Sequence, residues 1–222
     1  MFSPHGTLAL FSRLLGQPQR DWPPHTVLTG FPFYENGEGD LDPALREFLD
    51  NGERPVVFTL GSSAVLDPGQ FYEESLRAVQ RLGCRAVFLT GSDPANRPAD
   101  SLPDSVFVTS YAEFSSLFPH AAAVVHQGGI GTTAEAMRAG VPMLVVPFMH
   151  DQPDNAFRAK RLGIARVAAR AKYNAEVAER NLSLLLSRPE YAARTKDVAA
   201  QIACEHGLNT ACTAVERYAC SR

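Results

Sequence analysis

The sequence lacks several features that would point directly to a class of protein. No apolar run in its 222 residues approaches the roughly 20 needed to span a bilayer, so it is not expected to be an integral membrane protein. A net charge of −3 gives no support for nucleic acid as a partner. The opening MFSPHGTLALFSRLLG has no cationic region and no small-residue cleavage site, so no signal peptide is expected.

Cysteine pairs of the CxxC type are also missing. The four cysteines are Cys84, Cys204, Cys212 and Cys220. Their spacing favours core thiols in a reducing compartment over a metal site or a disulfide framework. We therefore expect a cytoplasmic protein without a metal site.

Short apolar runs alternate with helical patterns from residue 55 to residue 166. The apolar runs cover 55–63, 85–92, 106–111, 121–127 and 141–148, and the helical patterns cover 68–82, 113–118, 131–139 and 153–162. Because apolarity in the runs is continuous, the pattern predicts an α/β fold with a Rossmann-like, doubly wound parallel sheet. From about 173 to 220 the pattern is helical only, with Pro189 separating two helices.

The first 54 residues follow a different pattern, since prolines at 18, 23, 24, 32 and 43 interrupt them. We interpret 1–24 as a segment that belongs with something upstream and 25–40, which includes the acidic ENGEGD, as a linker. A helix over 42–51 then leads into the domain formed by 55–222. The Asp40-Leu41-Asp42 motif is interpreted as a helix N-cap with solvated charge rather than a metal site.

The stretch HQGGIGTTAE (126–135) places three glycines between an apolar run and an alanine-rich helical pattern. A strand, a glycine turn and a helix together direct unpaired N–H groups at an anion. The stretch contains no lysine or arginine. Hydroxyls of Thr132 and Thr133 add donors, and His126 can donate one hydrogen bond and, if protonated, contribute a charge. The turn therefore predicts a phosphate or diphosphate site.

Several interpretations of this turn remain open. A P-loop is excluded because its lysine is missing. A dinucleotide fingerprint, Gly129-x-Gly131-x-x-Ala134 with Asp151 about 20 residues on, would make the chain an NAD-binding oxidoreductase domain. A nucleotide-sugar site uses more of the surrounding residues, including Gln152 and Asn155. Such a site could also belong to a non-catalytic binding module, and the turn could serve close packing alone.

The string from Val124 to Val167 resembles the donor-site signature of GT-B glycosyltransferases of the UDP-glycosyltransferase type. That signature has a strand-end His, a Gly-rich turn with Ser or Thr, a GVP turn, and P-F-x-x-D-Q with Asn three residues on. Weaker similarity to bacterial members extends through TVLTGFPFYE, PVVFTLGSSAV and LFPHAAAVVH. The resemblance implies the C-terminal, donor-binding half of a two-domain enzyme. Residues 1–24 would then be the remnant of the N-terminal acceptor domain.

The resemblance also implies roles for individual residues. Those expected at the donor diphosphate are His126, Gly128, Gly129, Gly131, Thr132, Thr133 and Ser62. Asp151 and Gln152 would bind the donor sugar, and Tyr111 would stack on the base. Glu113 and Phe114 depart from the residues common after that aromatic. Relatives often place a ribose-binding acid at the position of Ala134, so Glu135, one residue later, is not expected to bind ribose.

The chemistry implied is transfer of a sugar from a UDP- or TDP-sugar to a small-molecule acceptor with inversion, without a cofactor or metal. The family's general base is a histidine of the N-terminal domain, and neither His5 nor His25 has a recognisable catalytic context. We therefore expect the chain to bind the donor without transferring sugar by itself. Packing alternatives stay open: His126 as a buried histidine capping the sheet, Asp151 as a helix cap and Tyr111 as a core residue.

Overall fold

A six-stranded parallel sheet forms the centre of the protein, seen here in a computed structural model that describes residues 3–34 and 41–220. Its strands are β3 (Val56–Thr59), β4 (Ala86–Leu89), β5 (Val106–Thr109), β6 (Ala123–His126), β7 (Met143–Val145) and β8 (Ala165–Val167). They lie side by side in the order β5-β4-β3-β6-β7-β8. The strands are short and β-branched, and the four residues of β3, β4 and β6 are all buried, as expected for a sheet covered on both faces.

Helices cover both faces of this sheet. Their bounds are α1 (Pro43–Asp50), α2 (Gly61–Ala64), α3 (Phe71–Leu82), α4 (Phe114–Leu117), α5 (Ile130–Ala139), α6 (Gln152–Arg161), α7 (Ala175–Ser187), α8 (Pro189–Ala203) and α9 (Gly207–Cys220). Successive strand residues point to opposite faces. Val57 therefore packs in one apolar cluster with α5, α6 and α8, whereas Phe58 packs in the other with α3 and α7. The predicted doubly wound α/β fold is confirmed.

The sheet edge and the C-terminal region differ from the prediction. Strand β8 was missed because it is only three residues long and has Arg166 at its centre. The C-terminal region contains three helices instead of two. Pro189 separates α7 from α8 as predicted, since it opens α8 where a missing N–H costs nothing. A second interruption at 204–206 separates α8 from α9.

The N-terminal residues pack against the domain. Strands β1 (Thr7–Ala9) and β2 (Thr26–Leu28), which were not predicted, form a separate parallel pair. Leu15 is buried in the core, and the Ser12 hydroxyl donates to Glu205 at 2.7 Å. The assignment of 1–24 to a preceding domain stays a prediction.

The predicted leading helix is confirmed as α1, and Asp42 caps it by accepting from the backbone N–H groups of Ala44 and Leu45. The ENGEGD stretch at 35–40, including Asp40, lies outside the described residues.

The order of the strands positions the candidate site. From β3 the chain moves outward through β4 to β5, then returns to β6 on the other side of β3 and continues to β8. The direction of winding therefore reverses between β3 and β6. Ligands of open α/β sheets bind in the crevice at the carboxyl ends of the strands at such a reversal.

Candidate functional site

A cavity of about 710 Å³ lies at the carboxyl ends of β3 and β6. It brings together seven of the ten predicted site residues, namely Ser62, Tyr111, Gly129, Gly131, Thr132, Asp151 and Gln152. We call it the donor cavity. His126, Gly128 and Thr133 are not among the residues that line it. These three residues form hydrogen bonds that hold the glycine turn in place.

The glycine turn ends at Gly129, which is the N-cap of α5. Because glycine has no side chain, it cannot cap the first N–H groups of the helix, which are left for a ligand. Thr133 is buried, and its backbone N–H and its hydroxyl both donate to the Gly129 carbonyl, at 3.0 and 2.9 Å. Thr133 thus fixes the turn, whereas Gly131 and Thr132 line the cavity.

His126 is completely buried at the end of β6. Its Nδ1 accepts from the Gly128 backbone N–H at 3.1 Å, which places the proton of the neutral ring on Nε2. Burial lowers the pKa of His126 to about 3. The suggestion that a protonated His126 contributes a charge is therefore wrong for this structure at neutral pH. Its buried Nε2 has no hydrogen-bond partner within residues 3–34 and 41–220.

Asp151 and Gln152 lie at the start of α6 and line the donor cavity. Asp151 occupies the N-cap position, but its carboxylate makes no capping bond and accepts instead from Asn155 Nδ2 at 2.8 Å. The side-chain oxygen of Gln152 accepts from the backbone N–H groups of Phe148 and Met149 at 2.8 and 3.0 Å. This arrangement leaves the amide nitrogen of Gln152 as a donor for a ligand.

Asn155 connects the two motifs. Its amide also donates to the Gly128 carbonyl at 3.0 Å, so one side chain bridges the glycine turn and the acid–amide pair. Asn155 therefore joins Gly128 of the glycine turn and Asp151 of the acid–amide pair in one hydrogen-bonded unit.

Tyr111 follows β5 at the opposite side of the cavity and is 72% exposed. Its hydroxyl donates to Glu113 at 2.7 Å, and that bond raises the pKa of Tyr111. An exposed ring beside a cavity is available for stacking, so the core-packing alternative for Tyr111 is wrong.

The cavity has an unusual charge distribution for an anion site. Within the part of the chain that the structure describes, its lining residues include three acids, Glu113, Glu135 and Asp151, and no lysine or arginine. Burial raises the pKa of Glu135, although the nearby Arg138, which pairs with it at 2.8 Å, opposes the shift. Among the described lining residues, the groups that could contact a diphosphate are backbone N–H groups, hydroxyls, side-chain amides and the imidazole of His150.

Gln127 is the main lining residue that sequence analysis missed. It is 5% exposed, its Oε1 is buried without a described partner, and its amide nitrogen lies beside Gly61 and Gly129. Its position after the last strand residue, on the face opposite to His126, was the available signal. His150, which also lines the cavity, has a positive φ of 55° at the turn before Asp151.

No helix within residues 3–34 and 41–220 is long and apolar enough to cross a membrane. The same residues contain no group of three or more His, Cys, Asp or Glu side chains placed to hold a metal ion.

Comparison with known proteins defines the class to which this α/β domain and its cavity belong. Residues 77–211 match the family described as erythromycin biosynthesis protein CIII-like, C-terminal domain. That match covers more than half of the sequence, so the chain belongs to this family of glycosyltransferase C-terminal domains. The predicted resemblance to GT-B glycosyltransferases is confirmed.

Individual relatives agree with this assignment. The O-mycaminosyltylonolide 6-deoxyallosyltransferase of Streptomyces fradiae is 35% identical over 99% of this chain and 51% of its own length. A sterol 3-beta-glucosyltransferase of Aspergillus fumigatus is 32% identical over 90% of this chain and 15% of its own length. The chain thus spans about half or less of these relatives.

Solved structures give the same result. The glycotransferase of kitacinnamycin superposes with a TM-score of 0.79 at 25% identity, over 97% of this chain and 55% of that one. The glycosyltransferase VinC in complex with DTDP superposes with a TM-score of 0.76 at 26% identity, over 96% and 52%. Nothing in these comparisons supports the NAD-binding oxidoreductase alternative.

Proposed function

We propose that this chain is the donor-binding half of an inverting glycosyltransferase that transfers a sugar from a UDP- or TDP-sugar to an acceptor. The donor cavity would hold the nucleoside diphosphate between the α5 N-terminus and Ser62, with the base against Tyr111 and the sugar at Asp151 and Gln152. The observation that carries the proposal is the joint presence of uncapped helix N–H groups and the acid–amide pair in one cavity.

The charges of the cavity support a diphosphate at the start of α5 and a sugar at the start of α6. An uncapped helix N-terminus offers partial positive charge and N–H donors where charge develops on a leaving diphosphate. At the start of α6, Asp151 can accept hydrogen bonds from two sugar hydroxyls, and the amide nitrogen of Gln152 remains available as a donor. A neutral hexose suits the start of α6 better than a second anion would, since Asp151 places a carboxylate there.

His126 and Thr133 take supporting roles in this proposal. His126 accepts from the Gly128 N–H and Thr133 donates to the Gly129 carbonyl, so both orient the turn that presents its amides to the diphosphate. We propose that the reaction needs no metal, because amides and hydroxyls stabilise the leaving group. The base that deprotonates the acceptor would come from a preceding domain, so this chain alone would bind donor without transferring sugar.

Two relatives indicate the acceptor class. Their names specify a tylonolide derivative and a sterol, both lipophilic molecules with hydroxyl groups. We propose a lipophilic alcohol as the acceptor of the full enzyme.

Isothermal titration calorimetry with UDP, TDP, UDP-glucose and NAD tests the donor proposal. We expect UDP or TDP to bind and NAD not to bind. Asp151→Asn should weaken UDP-glucose binding about tenfold while leaving UDP nearly unchanged, because a hydrogen bond to a charged group contributes about 1.5–3 kcal/mol. Asp104→Asn is the matched control, since Asp104 is exposed and does not line the donor cavity.

Two results would reject the proposal. One is binding of NAD without binding of either nucleoside diphosphate. The other is an equal affinity of the Asp151→Asn and Asp104→Asn variants for UDP-glucose, which would show that the sugar does not lie at the start of α6.

A further inference from the structure

Arg170 connects two segments of the chain that both contribute to the donor cavity. It opens a short 3₁₀-helix, Arg170–Lys172, which follows β8. Its Nη2 donates at 2.9 Å to the backbone carbonyl of Asp67 and, also at 2.9 Å, to the Oδ2 atom of the same residue. The guanidinium of Arg170 also lies over the ring of Phe148, with Cζ 4.1 Å from the ring centroid. One side chain therefore contacts both the loop after α2 and the loop after β7.

The residues that Arg170 contacts lie close in sequence to lining residues of the donor cavity. We call 61–67 the α2 segment, and its lining residues are Gly61, Ser62 and Val65. We call 146–152 the α6 segment, and its lining residues are His150, Asp151 and Gln152. The backbone N–H of Phe148 donates to the side-chain oxygen of Gln152 at 2.8 Å. Arg170 thus covers the ring of a residue that holds Gln152 in place.

The α2 segment has little regular structure of its own. Helix α2 is a single turn of four residues, and Leu66 beyond it is 83% exposed. A segment with so few internal hydrogen bonds and so little burial opens easily. The contacts of Arg170 with Asp67 attach the end of this segment to the sheet at β8, so they restrict where Ser62 can lie.

The strength of these contacts sets the size of the effect to expect. The side chains of Arg170 and Asp67 are 38% and 76% exposed, so water and salt screen their ion pair. The bond to the Asp67 carbonyl and the cation–π contact with Phe148 add to it. Together they should change ligand affinity severalfold without being essential for folding.

We infer that Arg170 is a positioning residue for the donor, which keeps Ser62 and Gln152 in place relative to each other. Arg170 is not among the described residues that line the donor cavity, so it acts through Asp67 and Phe148. The inference rests on the proposed function, in which Ser62 contacts the diphosphate and Gln152 the sugar. A ligand that uses both segments should therefore depend on Arg170 more than a ligand that lacks the sugar.

Calorimetry with UDP-glucose and UDP tests this dependence. Arg170→Met keeps an unbranched side chain but removes the cation, and it should weaken UDP-glucose binding about fivefold and UDP binding less. Arg170→Lys keeps a cation, so its loss should stay below about twofold. Arg81→Met is the matched control, because Arg81 forms an exposed ion pair with Glu179 at 3.5 Å and does not line the donor cavity.

A double-mutant cycle separates positioning from a general loss of stability. Asp67→Asn should weaken UDP-glucose binding about threefold in the wild-type background. In the Arg170→Met background it should cause no further loss, because the partner of Asp67 is already missing.

Amide hydrogen exchange of the ligand-free chain gives a readout that needs no nucleotide. The N–H groups of Phe148 and Met149 both donate to Gln152, so their exchange reports on the α6 segment. Exchange of these two amides and of the Asp67 N–H should be at least about threefold faster in Arg170→Met than in the wild type. In Arg81→Met it should not change.

The inference would be overturned by equal UDP-glucose affinities of Arg170→Met and Arg81→Met, by an equal loss in Arg170→Lys and Arg170→Met, or by additive losses in the cycle. Failure of the proposed function gives a different pattern. If amide exchange responds to Arg170→Met while the wild-type chain binds neither UDP, TDP nor UDP-glucose, the donor proposal fails and the connection of the two segments through Arg170 stands. If neither exchange nor affinity responds, the positioning role is rejected.

Discussion

Replacing His126 should reduce the dependence of the free energy of unfolding on pH. Burial holds the pKa of His126 near 3, whereas an unfolded histidine has a pKa of 6.5. As the pH falls below 6.5, the unfolded state therefore binds a proton that the folded state excludes, and the free energy of unfolding decreases. From these two values, acidification from pH 7 to pH 5 should cost about 2 kcal/mol through this one group.

Urea unfolding monitored by far-UV circular dichroism at both pH values gives the assay. His126→Asn keeps an acceptor for the Gly128 N–H but cannot titrate, so the variant should lose about 2 kcal/mol of the wild-type difference between pH 7 and pH 5. His206→Asn, at an exposed position before α9, is the control and should retain the wild-type difference. If His126→Asn also retains it, the buried neutral imidazole is refuted.

Four further substitutions concern the glycine turn and the donor cavity. Gly128→Ala should destabilise the fold by about 2 kcal/mol, because Gly128 has φ +91° and an added Cβ would lie 2.8 Å from the Val145 side chain. In Gly131→Ala the added Cβ meets nothing within 4 Å, so the stability should not change. This variant should still bind UDP about tenfold more weakly in calorimetry. Gln127→Leu should preserve the thermal midpoint and lower UDP affinity about fivefold through a lost amide donor, and unchanged affinity would remove Gln127 from the site. Tyr111→Ala should also melt as wild type, since Tyr111 is 72% exposed, but bind UDP about tenfold more weakly if the ring stacks on the base; equal affinity would contradict stacking.

The sheet could be predicted because its physical signals are local and strong. Each central strand is a continuous apolar run ended by Gly, Ser, Pro or His, and burial on both faces requires that continuity. Strand β8 could not be predicted, because three residues centred on Arg166 carry no such signal. The pairing of β1 with β2 joins residues 19 positions apart and depends on tertiary contacts.

The candidate site, like the fold, could be predicted only in part. The Gly-rich turn and the acid–amide pair are sequence motifs, and the structure brings them together through Asn155. The protonation of His126 was beyond sequence analysis, because its pKa depends on complete burial that only the packed sheet defines. Gln127 was missed because alternation past the end of β6 is a weak signal, whereas its enclosure between Gly61 and Gly129 depends on two segments that are distant in sequence.

A crystal structure of the chain with UDP-glucose tests the central claim most directly. Diphosphate oxygens are expected within hydrogen-bond distance of the backbone N–H groups at the start of α5, and hexose hydroxyls are expected on Asp151 and Gln152. A diphosphate bound away from that helix end, or a sugar directed away from Asp151, would contradict it.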